Sequence, residues 1–204
     1  SNQYSLVRVN EPADFYDIFA VSTSTEDILS IHHAPSKGSS LPGYLHRPGT
    51  PPYNYSSGGV YAWLPNEASF LSTWDPNDLR RDFNLYTQYL GPDGNLVDLP
   101  AATPILFKKF ITDPSGLSIY SDPVFRYAEA FLIFAEAESM ANGGPTALAL
   151  ERLNVIKRRG YGLDPHSPSA VDYPSGMGAA EFREAVLMER AYEFIVEGKR
   201  WHDL

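Results

Sequence analysis

The sequence predicts a mainly α protein: tetratricopeptide-like helical hairpins that carry a long irregular loop region and a few short strands. Three observations lead there. The composition changes sharply near Asp122. Before it, Gly, Pro and Ser interrupt every periodic run, as in "APSKGSSLPGYLHRPGTPPYNYSSGGVYAWLPNEASF". After it, apolar residues recur at helical spacing between capping residues and glycine stops. The chain is therefore expected to form one unit over residues 1–204. Residues 1–121 form its loop-rich, aromatic, ligand-facing part, and residues 122–204 its helical frame.

Two ordered pieces stand out in the first part. "EPADFYDIFA" opens like a helix, with Pro12 in the first turn, where a missing N–H costs nothing. In "EDILSIHHA", Ile28, Ser30 and His32 alternate with Leu29 and Ile31, which predicts a short strand.

Three helices follow. The first is expected over residues 123–142, with Asp122 as N-cap and Gly143-Gly144 as its stop. Phe125, Ala128, Leu132, Ala135 and Ser139 form one stripe, and Tyr127, Phe131 and Phe134 cover another face. A helix apolar on nearly all sides needs neighbours on nearly all sides, some of them from outside this chain. The second runs over residues 145–159, with Ala149, Leu150, Leu153 and Ile156 as its stripe and Gly160 as its stop. The short "NGGP" link folds these two into an antiparallel hairpin. The third is expected over residues 179–201, with Leu187, Met188, Ala191, Phe194 and Ile195 facing inward.

Composition narrows the function. With 43% hydrophobic and 20% charged residues, the chain reads as an ordinary globular protein. A net charge of -9 argues against nucleic acid, whose phosphates need a basic footprint. There is no cysteine, which excludes disulfides, thiol catalysis and cysteine-bound zinc. No run of about eighteen apolar residues is present to span a membrane. The opening "SNQYSLVRVNEP" lacks the hydrophobic centre of a signal peptide, as expected of a mature or trimmed chain.

The closing stretch "EGKRWHDL" poses the sharpest question. On a continuous helix Arg190, Glu193, Glu197 and Arg200 share one face, so Glu197 and Arg200 could pair. Glu193 and Glu197 repel unless a cation lies between them, supplied by Arg190 or by a residue from another helix. A glutamate pair can do acid/base work, as in glycosidases, but helix-face Glu/Arg ladders are usually structural. The expectation is a bracket, with Trp201 packing beside Gly198.

Taken together, "FRYAEAFLIFAEAESMANGG", "ALERLNVIKRRGYG" and "LMERAYEFIVEGKRWHDL" resemble the C-terminal signature of the SusD/RagB family. "NDLRRDF" resembles the family's Asp-x-Arg segment, "LFKKF" its lysine-bearing strand, and "EDILSI" the strand that precedes its loop region. The likeness spans most of residues 10–204. It departs at His202, where the family commonly has an aromatic residue. Family members are also longer, continue past this motif, and begin with a lipoprotein signal, a lipidated cysteine and further helices, so a fragment is expected. The resemblance implies a SusD-like α/α superhelix in a cell-surface lipoprotein of a Gram-negative outer membrane, anchored by lipid on a cysteine absent from this chain. It implies capture of a glycan or oligosaccharide without cleavage, and delivery to a SusC-like TonB-dependent barrel transporter.

The residues themselves also favour binding over catalysis. GxSxG, HExxH and the phosphate-cradling GxxxxGK are all missing. His32 and His33 point to opposite faces of a strand, and "DPNDLRRD" lacks the glycine and terminal glutamate of a calcium loop. No catalytic residue, metal ligand or cofactor is expected. Sugars are held by flat aromatic faces and planar polar side chains. "YNYSSGGVYAWLPNEASFLSTW" supplies both: Tyr53, Tyr55, Tyr61, Trp63 and Trp74, with Asn54 and Asn66. Trp63 and Trp74 are either platforms or buried anchors, whereas Tyr53 and Tyr55, amid Pro and Ser, are expected to be exposed. The alternative class is a tetratricopeptide-like scaffold that binds peptides.

Overall fold

The computed structural model describes residues 3–19, 24–32, 45, 63–65, 69–110 and 121–204. A 3-10 turn at Pro12–Phe15 leads into α1 (Tyr16–Phe19), as the "EPADFYDIFA" pattern predicts. Asp14 closes that start, its Oδ2 accepting the backbone N–H groups of Asn10 and Glu11. The predicted strand is β1 (Asp27–His32).

β1 pairs antiparallel with β7 (Ser121–Arg126), from Asp27 opposite Arg126 to His32 opposite Ser121. This pairing corrects the expected start of the first helix. Residues 121–126 satisfy their backbone on β1, so helix α4 begins only at Tyr127 and ends at Ala141 (Tyr127–Ala141). Its N-cap is Arg126, not Asp122. Phe125 leaves the expected stripe and lies on the exposed ribbon.

A second sheet has the order β2-β6-β3, built from Trp63–Leu64, Ile105–Phe107 and Leu85–Tyr86. A third is the hairpin of β4 (Gln88–Leu90) and β5 (Leu96–Asp98). Two short helices precede them, α2 (Ser69–Thr73) and α3 (Leu79–Asn84). Asp78 caps α3 by accepting the Arg80 N–H at 3.0 Å.

α5 (Ala147–Gly160) follows its prediction closely, with Thr146 as the N-cap that accepts the Ala149 N–H. Residues 142–146 turn α4 back onto α5 through Gly143 at φ 69°. Ala128, Leu132 and Ala135 of α4 bury against Ala149, Leu153 and Ile156 of α5 and Phe182 and Val186 of α6 (Ala179–Glu193). The alanines allow the close approach. Among the described residues only this side of α4 is covered: Ile133, Phe134 and Met140 are exposed, on a helix for which neighbours from outside this chain are expected.

The third helix also ends earlier than expected. α6 stops at Glu193, and the chain turns through Val196 at φ 56° and Gly198 at φ 75° before a short α7 (Arg200–Asp203). A helix end frees carbonyls that need donors. Here Arg126 Nη2 donates to the Glu193 carbonyl at 2.8 Å, and Lys109 Nζ donates to the Ile195 carbonyl at 3.1 Å. The inner face of α6 accordingly carries buried Glu189, Arg190 and Glu193 beside the expected Ala191 and Phe194. A second core, rich in rings, gathers Phe15, Phe19, Phe83, Phe110, Trp74 and Tyr192 between the N-terminal segment, α3 and α6.

Candidate functional site

Glu193 sits at the centre of a buried ionic network. Arg126 Nη1 donates to Glu193 Oε1 at 2.6 Å, Arg80 Nη1 donates to Glu193 Oε2 at 3.1 Å, and Arg159 also pairs with Glu193. Arg126 reaches Glu197 through Nε at 2.9 Å and Glu26 through Nη1 at 3.3 Å. Arg159 pairs with Glu26, whose Oε1 also accepts the Val7 N–H at 2.9 Å. Arg80 forks onto Asp78 and reaches Glu189 Oε1 at 2.6 Å. Lys109 Nζ lies 2.5 Å from Glu197 Oε1. The network thus ties the N-terminal segment, α3, the end of β6, β7, α5 and α6 into one body.

The cations at Glu193 and Glu197 are Arg126 and Lys109, which come from the end of β7 and from just beyond β6 and not from Arg190 or another helix as expected. The expected Glu197–Arg200 pair does not form: Arg200 Nη1 donates to the Leu187 carbonyl instead. Arg190 belongs to a second cluster, reaching Asp203 Oδ1 at 2.8 Å and Glu129 at 3.5 Å, while Lys199 Nζ donates to Glu129 Oε2 at 2.8 Å. Trp201 is 83% exposed, and among the described residues nothing lies within 4 Å of a Cβ at Gly198, correcting that expectation.

Electrostatics explains how these charges persist without water. Burial opposes the Glu193 charge, yet Arg159, Arg126 and Arg80 hold its carboxyl well below the ordinary 4.5. Glu197 is likewise held low against burial by Arg126 and Lys109. Burial pushes the Lys109 ammonium down to about 8, against the pull of Glu197. At Glu189 burial wins over Arg80, and its carboxyl is raised. Five carboxylates (Glu26, Asp78, Glu189, Glu193, Glu197) meet four cations (Arg80, Lys109, Arg126, Arg159) in this network. Glu193 and Glu197 side chains are each 1% exposed and saturated with donors. Neither has access to a substrate.

Trp63 is 45% exposed on β2, backbone-paired to Leu106. Trp74 is 2% exposed and is an anchor, which corrects its reading as a platform. Its indole N–H donates to Asp78 Oδ2 at 3.1 Å, and its ring stacks on Tyr192 at 4.9 Å between centroids. Its stacked face and its one donor are spent on the core. Beside it a cavity of about 410 Å³ is lined by Tyr161, Tyr173 and Lys157. Three of its polar groups are engaged: Tyr161 Oη donates to Asp75 Oδ2 at 3.0 Å, Tyr173 Oη donates to Glu189 Oε2 at 3.2 Å, and Lys157 Nζ lies over the Tyr173 ring. Tyr53, Asn54, Tyr55, Tyr61 and Asn66 lie outside the described residues.

Sequence reasoning did not foresee the roles of Glu26, Asp78, Arg80, Lys109, Arg126 and Arg159. Their signal lay in the quoted family segments, where charged residues stand among apolar ones. Gly160 offered another: a Cβ there would lie 2.5 Å from Arg80 Nε, so the glycine makes room for the buried guanidinium.

Known proteins share this fold. The profile of the SusD family matches residues 69–204. The chain is 31% identical over 139 residues to SusD-like protein P25 of Formosa agariphila, an alignment covering 66% of this chain and 24% of that protein. Among solved structures it resembles NanU of B. fragilis, with a TM-score of 0.72 and 22% identity over 99% of this chain and 47% of that one. It also resembles surface glycan-binding protein A from Bacteroides thetaiotaomicron in complex with laminarihexaose, with a TM-score of 0.68 and 20% identity over 100% of this chain and 46% of that one. The chain therefore spans under half the length of these solved relatives and about a quarter of the curated one. With the family's profile matching most of its length and its fold shared by these structures, the chain belongs to the SusD family.

Proposed function

We propose that this chain is part of a cell-surface protein that binds a glycan or oligosaccharide without cleaving it. The observation that carries this reading is the contrast between the tryptophans of one segment. Trp74 is locked into the core, while Trp63, at the edge of the aromatic stretch, is 45% exposed. An indole face against sugar C–H groups, flanked by tyrosines and asparagines, suits a neutral polyhydroxylated ligand. The net charge of -9 is compatible with that and repels polyanions. The likeness to a protein solved with laminarihexaose supports the same ligand class. The sealed Glu193 and Glu197 carboxylates support binding without hydrolysis.

In this reading Tyr53, Asn54, Tyr55, Tyr61, Trp63 and Asn66 contribute the ligand surface. The full protein sits on the outer membrane by a lipid anchor and passes its ligand to a SusC-like TonB-dependent transporter. Retention in affinity gels cast with plant, host and microbial polysaccharides tests the binding, and an assay for new reducing ends tests the absence of cleavage. Retention by none of them, or release of new ends, would contradict the proposal.

A second reading, a scaffold for peptides, is favoured by the outward face of α4, where Ile133, Phe134 and Met140 are exposed beside a cavity of about 410 Å³ lined by Met140 and Phe182. Binding of amphipathic peptides lost on Phe134→Asp, with glycan retention absent, would select it.

A further inference from the structure

Lys109 is buried two residues beyond the end of β6, and its position bears on Trp63. Among the described residues β2 pairs only with β6, Trp63 opposite Leu106 and Leu64 opposite Ile105. The placement of the indole thus depends on where β6 lies. β6 is held on its other side by β3, Phe107 opposite Leu85 and Leu106 opposite Tyr86, and is fixed along its length from its C-terminal end. The Lys108 N–H donates to the Asn84 carbonyl at 2.8 Å, and Lys109 Nζ reaches Glu197 Oε1, the Ile195 carbonyl and the Glu193 carbonyl at 2.5, 3.1 and 3.4 Å. The same ammonium sits 4.5 Å from the centroid of the Phe19 ring.

Backbone strain marks this junction. Among the described residues, the non-glycine positions at positive φ are Phe110, at 63°, and Val196, at 56°. One directly follows Lys109 and the other directly precedes Glu197. A bulky or β-branched residue adopts that conformation only where its surroundings over-determine it, and such positions gather at sites whose geometry matters. The Lys109–Glu197 contact is the clamp between the two. Leu106, one residue from the pinned end of the strand, is fully buried, so a shift of β6 cannot be absorbed locally.

We propose that Lys109 is a positioning residue for the ligand surface: by clamping β6 to the turn after α6 through Glu197, it sets where β2 presents the Trp63 indole. This rests on the binding role proposed above for Trp63, and it makes the ionic network a determinant of affinity and not of stability alone.

The test compares Lys109→Met, which keeps chain length and removes the ammonium, with Leu153→Ala, which opens the helical core without touching β6. Two quantities are read: the indole N–H resonance of Trp63, assigned by its loss in Trp63→Phe, and the Kd for laminarihexaose. Lys109→Met is expected to move the resonance and weaken binding about fivefold. Leu153→Ala lowers the melting temperature and changes neither. In a Trp63→Ala background Lys109→Met adds no further loss of affinity, because the two act on one contact. An unmoved Trp63 resonance in folded Lys109→Met overturns the inference. If that variant does not fold, Glu197→Gln, which removes the clamp's charge and keeps its shape, is read the same way. Wild-type protein that ignores laminarihexaose and every other glycan counts against the proposed function, while the resonance comparison still decides the positioning role.

Discussion

Arg126 Nη1 donates to Glu193 Oε1 at 2.6 Å, joining the last residue of β7 to the last residue of α6 across 67 positions of sequence. Its Nη2 also donates to the Glu193 carbonyl, so one guanidinium neutralises a side chain and ends a helix. Removing one partner of a buried pair leaves a bare charge and typically costs about 3–5 kcal/mol. Arg126→Met is expected to lower stability by that order, measured by urea unfolding. A loss within about 0.5 kcal/mol, as for a surface change, would show the network to be dispensable.

Acid should act through the same residue. The folded Glu193 and Glu197 carboxyls lie below the ordinary 4.5, so their contribution is present above pH 4.5 and is lost as pH falls through the folded values. Glu189, raised by burial, contributes in the opposite sense: its stability is gained as pH falls through its folded value. The net expectation is a melting temperature that declines below pH 4.5, since two depressed carboxyls oppose one raised. Glu193→Gln should flatten that decline, measured by thermal melts between pH 3 and pH 7, a range that brackets the carboxylate values. An unchanged slope would place the acid-sensitive groups elsewhere.

Gly160 and Gly144 form a matched pair. A methyl group at Gly160 would meet Arg80 at 2.5 Å, whereas nothing lies within 4 Å of a Cβ at Gly144. Gly160→Ala is expected to cost about 1–3 kcal/mol by overpacking, and Gly144→Ala to be nearly neutral. Equal effects in thermal melts would contradict the close approach of Arg80.

The tryptophans divide stability from binding. Trp74→Ala empties a packed site and is expected to cost about 3–5 kcal/mol. Trp63→Ala should change stability by less than about 0.5 kcal/mol. Denaturant midpoints of the two variants check this directly.

What the sequence reveals depends on how local the cause is. α5 is legible to within two residues because Thr146, Gly160 and an apolar stripe specify it at short range. The true start of α4 is not, because β1, about a hundred residues earlier, draws residues 121–126 into a ladder. The end of α6 is hidden for the same reason: the donors that satisfy its freed carbonyls come from Arg126 and Lys109, 67 and 84 residues away. Charge spacing shows that Glu193 and Glu197 need a cation between them, but Arg200, the neighbour that spacing offers, is not the one the fold uses. At the ligand surface, composition marks an aromatic segment without separating anchor from platform. Trp63 and Trp74 differ only in tertiary surroundings, an indole on a sheet edge against one stacked on Tyr192.

The most direct test titrates Trp63→Ala by calorimetry with the polysaccharide that the wild-type chain retains best. A Kd weakened at least about tenfold, at an unshifted melting temperature, is the expected result. Full wild-type affinity in that variant would contradict a frame that is buried and inert and a ligand surface that begins at Trp63.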